Sequence, residues 1–96
     1  MAFMQIIELE TDKYDEVKKL NDEWFAATEG RRTVRAAYES RDRANPNKYV
    51  VAVVFDSYEA AMENSNLPET QKFAAAQEAL CKSMSFRDLD VLDERI

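Results

Sequence analysis

Apolar side chains occupy both faces of the segment from Tyr49 to Phe55. Side chains alternate between the two faces of a β-strand. One face of this segment would carry Tyr49, Val51, Val53 and Phe55, and the other Val50, Ala52 and Val54. A chain of 96 residues with two helical regions covers only one face of a sheet, so we expect the second face to meet a ligand, a nucleic acid or another subunit.

The N-terminal third predicts a strand followed by a helix. The segment from Phe3 to Glu10 alternates as a strand does and is also apolar on both faces, with Gln5 as an interruption. Apolar residues then recur at helical spacing and predict a helix over residues 13–28, with Asp12 as its N-cap. These apolar residues are Tyr14, Val17, Leu20, Trp24 and Phe25. Gly30 follows, where a left-handed backbone favours a residue without Cβ.

Two more strands and a split helix complete the pattern. Arg32 to Arg41 alternates with one charged side, which is typical of an edge strand, and Asn45-Pro46-Asn47 predicts a turn into the strand at Tyr49. Asp56 and Ser57 can cap a short helix from Tyr58 to Asn64. Asn66 and Pro68 predict a second start, for a helix whose apolar face would hold Phe73, Ala76, Leu80 and Met84. The segment from Phe86 to Asp93 predicts a final edge strand.

This order of elements predicts an α+β fold with a ferredoxin-like βαββαβ topology in a single domain, residues 1–96. Both helical regions would cover one face of a four-stranded antiparallel sheet, and the first and third strands would be central. Those are the two strands that are apolar on both faces, so pattern and topology agree. Among RNA binding, a ligand-sensing module and self-association, we favour a homodimer formed through the open sheet face, which would close two sheets into a dimeric α/β barrel.

Composition excludes several kinds of function. The net charge of −6 argues against nucleic acid as a partner. The chain has no histidine, which removes imidazole bases, histidine-held zinc and histidine-held haem. It has one glycine, too few for a phosphate-binding loop, and one cysteine, Cys81, which agrees with a reducing compartment. The N-terminus lacks the pattern of a leader or a membrane span, so we expect no membrane association and a cytoplasmic location.

The second half of the chain resembles the dimeric α/β-barrel superfamily, and in particular small proteins similar to antibiotic biosynthesis monooxygenases. Four segments carry this resemblance: 45–51 (NPNKYVV), 55–65 (FDSYEAAMENS), 67–70 (LPET) and 86–91 (FRDLDV). The resemblance implies a ferredoxin-like subunit, a homodimer and a pocket between sheet and helices. Some relatives oxidise phenolic polycyclic substrates with dioxygen and no cofactor, and others degrade haem. Because the missing histidine argues against haem, we expect no metal and no cofactor.

The same resemblance suggests candidate site residues, because relatives use an amide, a tryptophan and a tyrosine or arginine to hold the substrate. The candidate catalytic residues are Gln5, Trp24, Tyr49 and Arg35, and the candidate ligand-binding residues are Tyr38, Tyr58 and Asn64. The implied function is cofactor-independent monooxygenation of a small aromatic or polyketide-type substrate.

Structural explanations compete with these assignments. Trp24 lies at helical spacing with core residues, and an edge-strand arginine such as Arg35 commonly pairs with a carboxylate. Gln5 is the most informative candidate, because an amide within an apolar central strand needs a partner when buried. The alternative function is therefore a non-catalytic barrel that binds a small molecule, protects a reactive intermediate or serves in stress.

Overall fold

Seven elements follow one another along the chain as strand, helix, strand, strand, helix, helix and strand. The computed structural model describes residues 1–96. The elements are β1 (Phe3–Glu10), α1 (Tyr14–Ala27), β2 (Val34–Arg41), β3 (Lys48–Phe55), α2 (Tyr58–Ser65), α3 (Pro68–Leu80) and β4 (Ser83–Asp90). This is the predicted βαββαβ order, with its second helix split into α2 and α3.

The four strands form one antiparallel sheet in the order β2-β3-β1-β4. The central strands β1 and β3 pair over their full length, from Phe3 opposite Phe55 to Glu10 opposite Lys48. β2 and β4 are the edge strands, as predicted, and β2 carries a register shift between Val34 and Ala36.

The end of α3 and the start of β4 differ from the sequence prediction. The helix ends at Leu80, and Met84 lies in β4 rather than on the helix. The backbone turns extended at Cys81 (φ −107°, ψ 143°), and the Lys82 amide donates to the Glu10 carbonyl at 2.7 Å. Because the β1–β4 ladder begins there, β4 starts three residues earlier than predicted and ends at Asp90 rather than Asp93.

Two of the predicted helix caps are wrong. Lys13, not Asp12, is the N-cap of α1, and no side chain caps that helix. Leu67, not Asn66, precedes the first turn of α3, again without a side-chain cap. The Ser57 cap is confirmed, since its hydroxyl accepts a hydrogen bond from the Ala60 amide at 3.0 Å. Gly30 has the left-handed backbone expected of it (φ +79°).

The helices lie on one face of the sheet and contact it at its two ends. At one end, Phe3 and Phe55 are buried with Ala61 of α2. At the other end, the Tyr14 ring of α1 stacks on the Tyr49 ring with centroids 4.3 Å apart. Between these ends, the same face of β1 and β3 is only partly buried. The residues in that stretch are Gln5, Ile7, Val51 and Val53.

The opposite face of the sheet carries no helix and is apolar at its centre. Its central positions hold Met4, Ile6, Val50, Ala52 and Val54. At its edges, 66% of Tyr38 and 41% of Leu89 are exposed. None of the helices has the length and apolar character needed to cross a membrane.

Thr11 joins β1 to the helices that follow. Its side chain is fully buried, and its hydroxyl donates to the Leu80 carbonyl at 2.7 Å and accepts from the Lys13 amide at 3.0 Å. Thr11→Val keeps the shape but leaves both backbone groups without that partner. We expect the free energy of unfolding, measured with urea, to fall by about 1–3 kcal/mol. The exposed hydroxyl of Ser85 provides the control, and equal losses for Thr11→Val and Ser85→Ala would contradict this role.

Candidate functional site

A cavity of about 500 Å³ separates the middle of the sheet from the helices. Its floor comes from β1, β2 and β3, and its walls from α1, α2 and the start of α3. Much of the lining is apolar and aromatic, which suits a ring-shaped ligand. The apolar lining residues include Ile7, Trp24, Phe25, Val53, Met62 and Phe73.

The structure brings four of the seven predicted site residues to this cavity. Gln5, Trp24, Arg35 and Asn64 all line it. The three tyrosines lie elsewhere. Tyr49 is buried against Tyr14 at the far end of the sheet, Tyr38 is largely exposed on a strand edge, and Tyr58 packs edge-on against Phe3 at 5.4 Å.

Asn64 presents a hydrogen-bond donor to the cavity. Its side chain is 6% exposed, and its Oδ1 accepts a hydrogen bond from the Thr33 backbone amide at 3.4 Å. Because a backbone N–H can only donate, the oxygen must face Thr33 and the Nδ2 group must face away from it. No buried polar side-chain atom of the protein lacks a partner, so Nδ2 retains accessible surface, and Asn64 is one of the residues that line the cavity.

Trp24 supplies an aromatic wall whose polar atom is already bound. Its indole N–H donates to the Thr70 hydroxyl at 2.9 Å, and its ring lies 6.0 Å from the Phe73 ring. These contacts join α1 to α3 above the cavity. The indole ring, rather than the indole N–H, is therefore the part of Trp24 that a ligand would meet.

Gln5 and Arg35 are both engaged by carboxylates. The Gln5 side-chain amide donates to Asp88 of β4 at 3.2 Å. Arg35 donates to Glu94 at 2.7 Å and lies 3.6 Å from Asp56. Arg35 thus makes the ion pairs expected of an edge-strand arginine, while part of its side chain still lines the cavity.

Two charged residues in the cavity wall were not predicted. Glu39 lies on β2 and is exposed overall, but partial burial of its carboxyl group raises the pKa of that group, with a partly opposing hydrogen bond from Tyr14. Arg32 stacks its guanidinium 3.5 Å above the Phe25 ring and donates to the Phe25 carbonyl at 2.6 Å. Arg32 therefore places a held positive charge in the wall.

Glu39 belongs to the charged side of the alternating pattern in β2. That pattern alone does not show which face of the strand the helices cover. Ala37 and Glu39 pair with Val53 and Val51, which face the helices. The charged side of this edge strand therefore turns toward the cavity rather than away from the protein. No group of three or more Asp, Glu or Cys side chains is arranged to hold a metal ion.

Several solved structures share this fold. Two structures of SnoaB, a cofactor-independent oxygenase from Streptomyces nogalater, have TM-scores of 0.83 and 0.82, and each is 15% identical over 97% of this chain and 95% of that one. Rv0793 from Mycobacterium tuberculosis has a TM-score of 0.82 at 18% identity over 98% of both chains. A Caulobacter crescentus protein, provisionally named an antibiotic biosynthesis monooxygenase, has a TM-score of 0.83 at 14% identity over 96% of this chain and 91% of its own.

At such low identity these similarities establish the fold, and they confirm the resemblance to antibiotic biosynthesis monooxygenase-like proteins at that level. A comparison with the curated proteins found no match. A family model, the domain of unknown function DUF1330, matches residues 4–87, from within β1 to within β4. Because this match spans most of the sequence, the chain belongs to the DUF1330 family.

Proposed function

We propose that this protein is a cofactor-independent monooxygenase that acts on a small aromatic or polyketide-type substrate in the cavity between sheet and helices. The observation that carries the proposal is the buried Asn64 amide, which is fixed by Thr33 so that its donor faces an aromatic-lined space. A donor held in this way stabilises negative charge on a ligand oxygen without reorganising.

The charges around the cavity suit a phenol that loses its proton on binding. Glu39 is the candidate base, since burial raises the pKa of its carboxyl group and brings it closer to the range in which a carboxylate accepts protons. Asn64 would then donate to the phenolate oxygen, and Arg32 would add positive charge nearby. The Trp24 ring would hold the substrate ring, and Gln5 and Arg35 would complete the wall.

The reaction needs no redox group from the protein. The deprotonated substrate passes one electron to dioxygen, and the two radicals combine into a hydroperoxide at the activated ring carbon. Loss of water then leaves a carbonyl, so that CH₂ and O₂ become C=O and H₂O. The substrate supplies the electrons, one oxygen atom enters the product and the other leaves as water. The protein's part is to hold the ring, exclude water and stabilise the anion.

The shared fold supports this proposal, because SnoaB is a cofactor-independent oxygenase. Tyr38, Tyr49 and Tyr58 are not included in the proposed site, since none of them lines the cavity. A second candidate function is binding without turnover. It is favoured by the Trp24 N–H and the Arg35 guanidinium, which are already held by Thr70 and Glu94.

We also propose that the active form is a homodimer joined through the open sheet face. The central strands place the partly buried side chains of Met4, Ile6 and Val50 on that face, with exposed Tyr38 and Leu89 at its edges. An apolar surface of this kind is stabilised by burial against a second copy, at about 25 cal/mol per Å² before the entropy of association is subtracted.

Oxygen uptake with 1,8-dihydroxyanthrone tests the enzyme. We expect uptake above the rate in buffer, and Asn64→Asp should lower it at least tenfold. The substituted carboxylate still accepts from Thr33 but no longer donates, and it repels a phenolate. Asn66→Asp adds the same charge at an exposed position two residues away and should retain activity. Uptake at the buffer rate would reject turnover and leave the binding alternative.

The raised pKa of Glu39 predicts how stability varies with pH. Its ionised form is less stable in the folded protein than in the unfolded chain, a penalty that is complete above the raised pKa and absent below about pH 4. Glu39→Gln should therefore raise the melting temperature at pH 7, and the two proteins should converge as the pH falls. Glu29→Gln changes the same charge on the exposed turn after α1 and serves as the control. A lower melting temperature for Glu39→Gln at pH 7 would contradict the assignment.

Sedimentation at micromolar concentration tests the homodimer. Ala52 lies at the centre of the open face, so Ala52→Arg should convert a dimer into a monomer by burying an unpaired charge. Ala26→Arg makes the same change on the exposed side of α1 and should leave the dimer intact. A wild-type protein that sediments as a single soluble subunit would reject this interface.

A further inference from the structure

A second cavity of about 550 Å³ lies beside the first, beneath α3. The two cavities have part of their lining in common, namely Gln5, Ile7, Ser65, Thr70 and Phe73. The first extends from β1 toward β3 and β2, and the second from β1 toward β4, where it reaches Met84 and Phe86. The two cavities are therefore neighbours that meet at β1, on the face of the sheet that the helices cover.

Gln77 is an unpartnered amide in the wall of this second cavity. It belongs to α3, only 7% of it is exposed, and it takes part in none of the side-chain hydrogen bonds within the protein. No buried polar side-chain atom is sealed away without a partner, so the Gln77 amide must open onto the cavity. An amide that opens onto a cavity is free to hydrogen-bond an oxygen atom of a ligand there.

The chemistry of the second cavity favours a neutral, oxygen-bearing group. A carboxamide both donates and accepts, so it suits a carbonyl or a hydroxyl equally well. The charged residues in its lining are Glu78 and Lys82, and the Lys82 ammonium lies 3.9 Å from the Asp12 carboxylate, so the two unlike charges in the wall do not select an ion of either sign. The Cys81 thiol also lines this cavity, and burial raises its pKa, which keeps it neutral.

We propose that the second cavity is the distal half of the binding site, and that it takes the carbonyl or hydroxyl end of an elongated aromatic ligand through the Gln77 amide. This inference rests on the proposed function only in taking the first cavity as a ligand site. β3 and β4 lie on either side of β1, two strand spacings or roughly 10 Å apart. A ligand that reaches both halves must have that length, which a fused three-ring system spans and a single ring does not.

The chain carries a natural reporter in each half. Trp24 is the only tryptophan and lines the first cavity, so quenching of its fluorescence reports a ligand there. Cys81 is the only cysteine and lines the second, so protection from iodoacetamide reports a ligand there. Labelling at mildly alkaline pH compensates for the raised pKa of the thiol.

Two probes, phenol and 1,8-dihydroxyanthrone, separate the halves in the wild-type protein under argon, so that no turnover occurs. We expect both probes to quench Trp24 and only the three-ring probe to protect Cys81. Quenching by both without protection of Cys81 by either would overturn this inference and leave the proposed function standing. Failure of both probes to quench Trp24 would reject the ligand site itself, and with it both proposals.

Gln77→Met tests the amide directly, since methionine has nearly the same length and no donor. We expect the affinity for 1,8-dihydroxyanthrone to fall roughly fivefold to tenfold, the loss of one neutral hydrogen bond, with little change for phenol. Lys72→Met makes a similar replacement on the exposed side of α3 and should alter neither affinity. Equal affinities of the wild type and a folded Gln77→Met variant would overturn the role of Gln77.

Discussion

The structure depends on the way in which the helices meet the sheet at its ends and not at its middle. Phe3 and Phe55 contact α2 at one end, and Tyr49 stacks on Tyr14 of α1 at the other. Between these contacts α1 and α3 pack chiefly against each other, through Trp24 with Phe73 and Thr70. The helices therefore contact the sheet only near its two ends, and the cavities lie between the helices and the middle of the sheet. A tightly packed middle would leave no room for a ligand.

Five carboxamides line the two cavities, and they come from four different elements. β1 supplies Gln5, α1 supplies Asn21, α2 supplies Asn64, and α3 supplies Gln71 and Gln77. Neutral amides discriminate by the position of oxygen and nitrogen atoms rather than by charge. The net charge of −6 therefore says little about which ligand these amide-lined cavities bind. The charged exceptions are Arg32, Arg35 and Glu39 in the first cavity, and Glu78 and Lys82 in the second.

The sequence predicted the order of the strands well, because a strand that is apolar on both faces is expected at the centre of the sheet in a small domain. The segments Phe3–Glu10 and Lys48–Phe55 are central for that reason, and the charged alternation of β2 marked an edge. The length of α3 was less predictable. Met84 continues the helical spacing of Phe73 and Leu80, and only the ladder that Lys82 begins with Glu10 shows that the helix has already ended.

The site was harder to predict than the fold, since periodicity cannot tell which face of an edge strand the helices cover. Glu39 was therefore not predicted to line a cavity, and Gln77 in an alanine-rich helix carried no signal at all. Tyr38, Tyr49 and Tyr58 lie outside the first cavity, and a residue type that is common on and beside strands does not by itself indicate a site. Asn64 and Trp24 were predicted through resemblance to a family, and the hydrogen bond that orients Asn64 comes from the Thr33 backbone amide, which no sequence motif reveals.

That orientation connects the site to the turn after α1. Thr33 ends a turn whose shape relies on the left-handed backbone of Gly30, and the same turn is tied to α3 by the ion pair between Arg31 and Glu69. A Cβ at Gly30 would meet no neighbouring atom, so any cost of a side chain there comes from the backbone angle alone. The orientation of the Asn64 carboxamide consequently depends on a surface loop. Substitutions in that loop that leave the cavity lining unchanged would still alter the hydrogen-bonding group that Asn64 presents to a ligand.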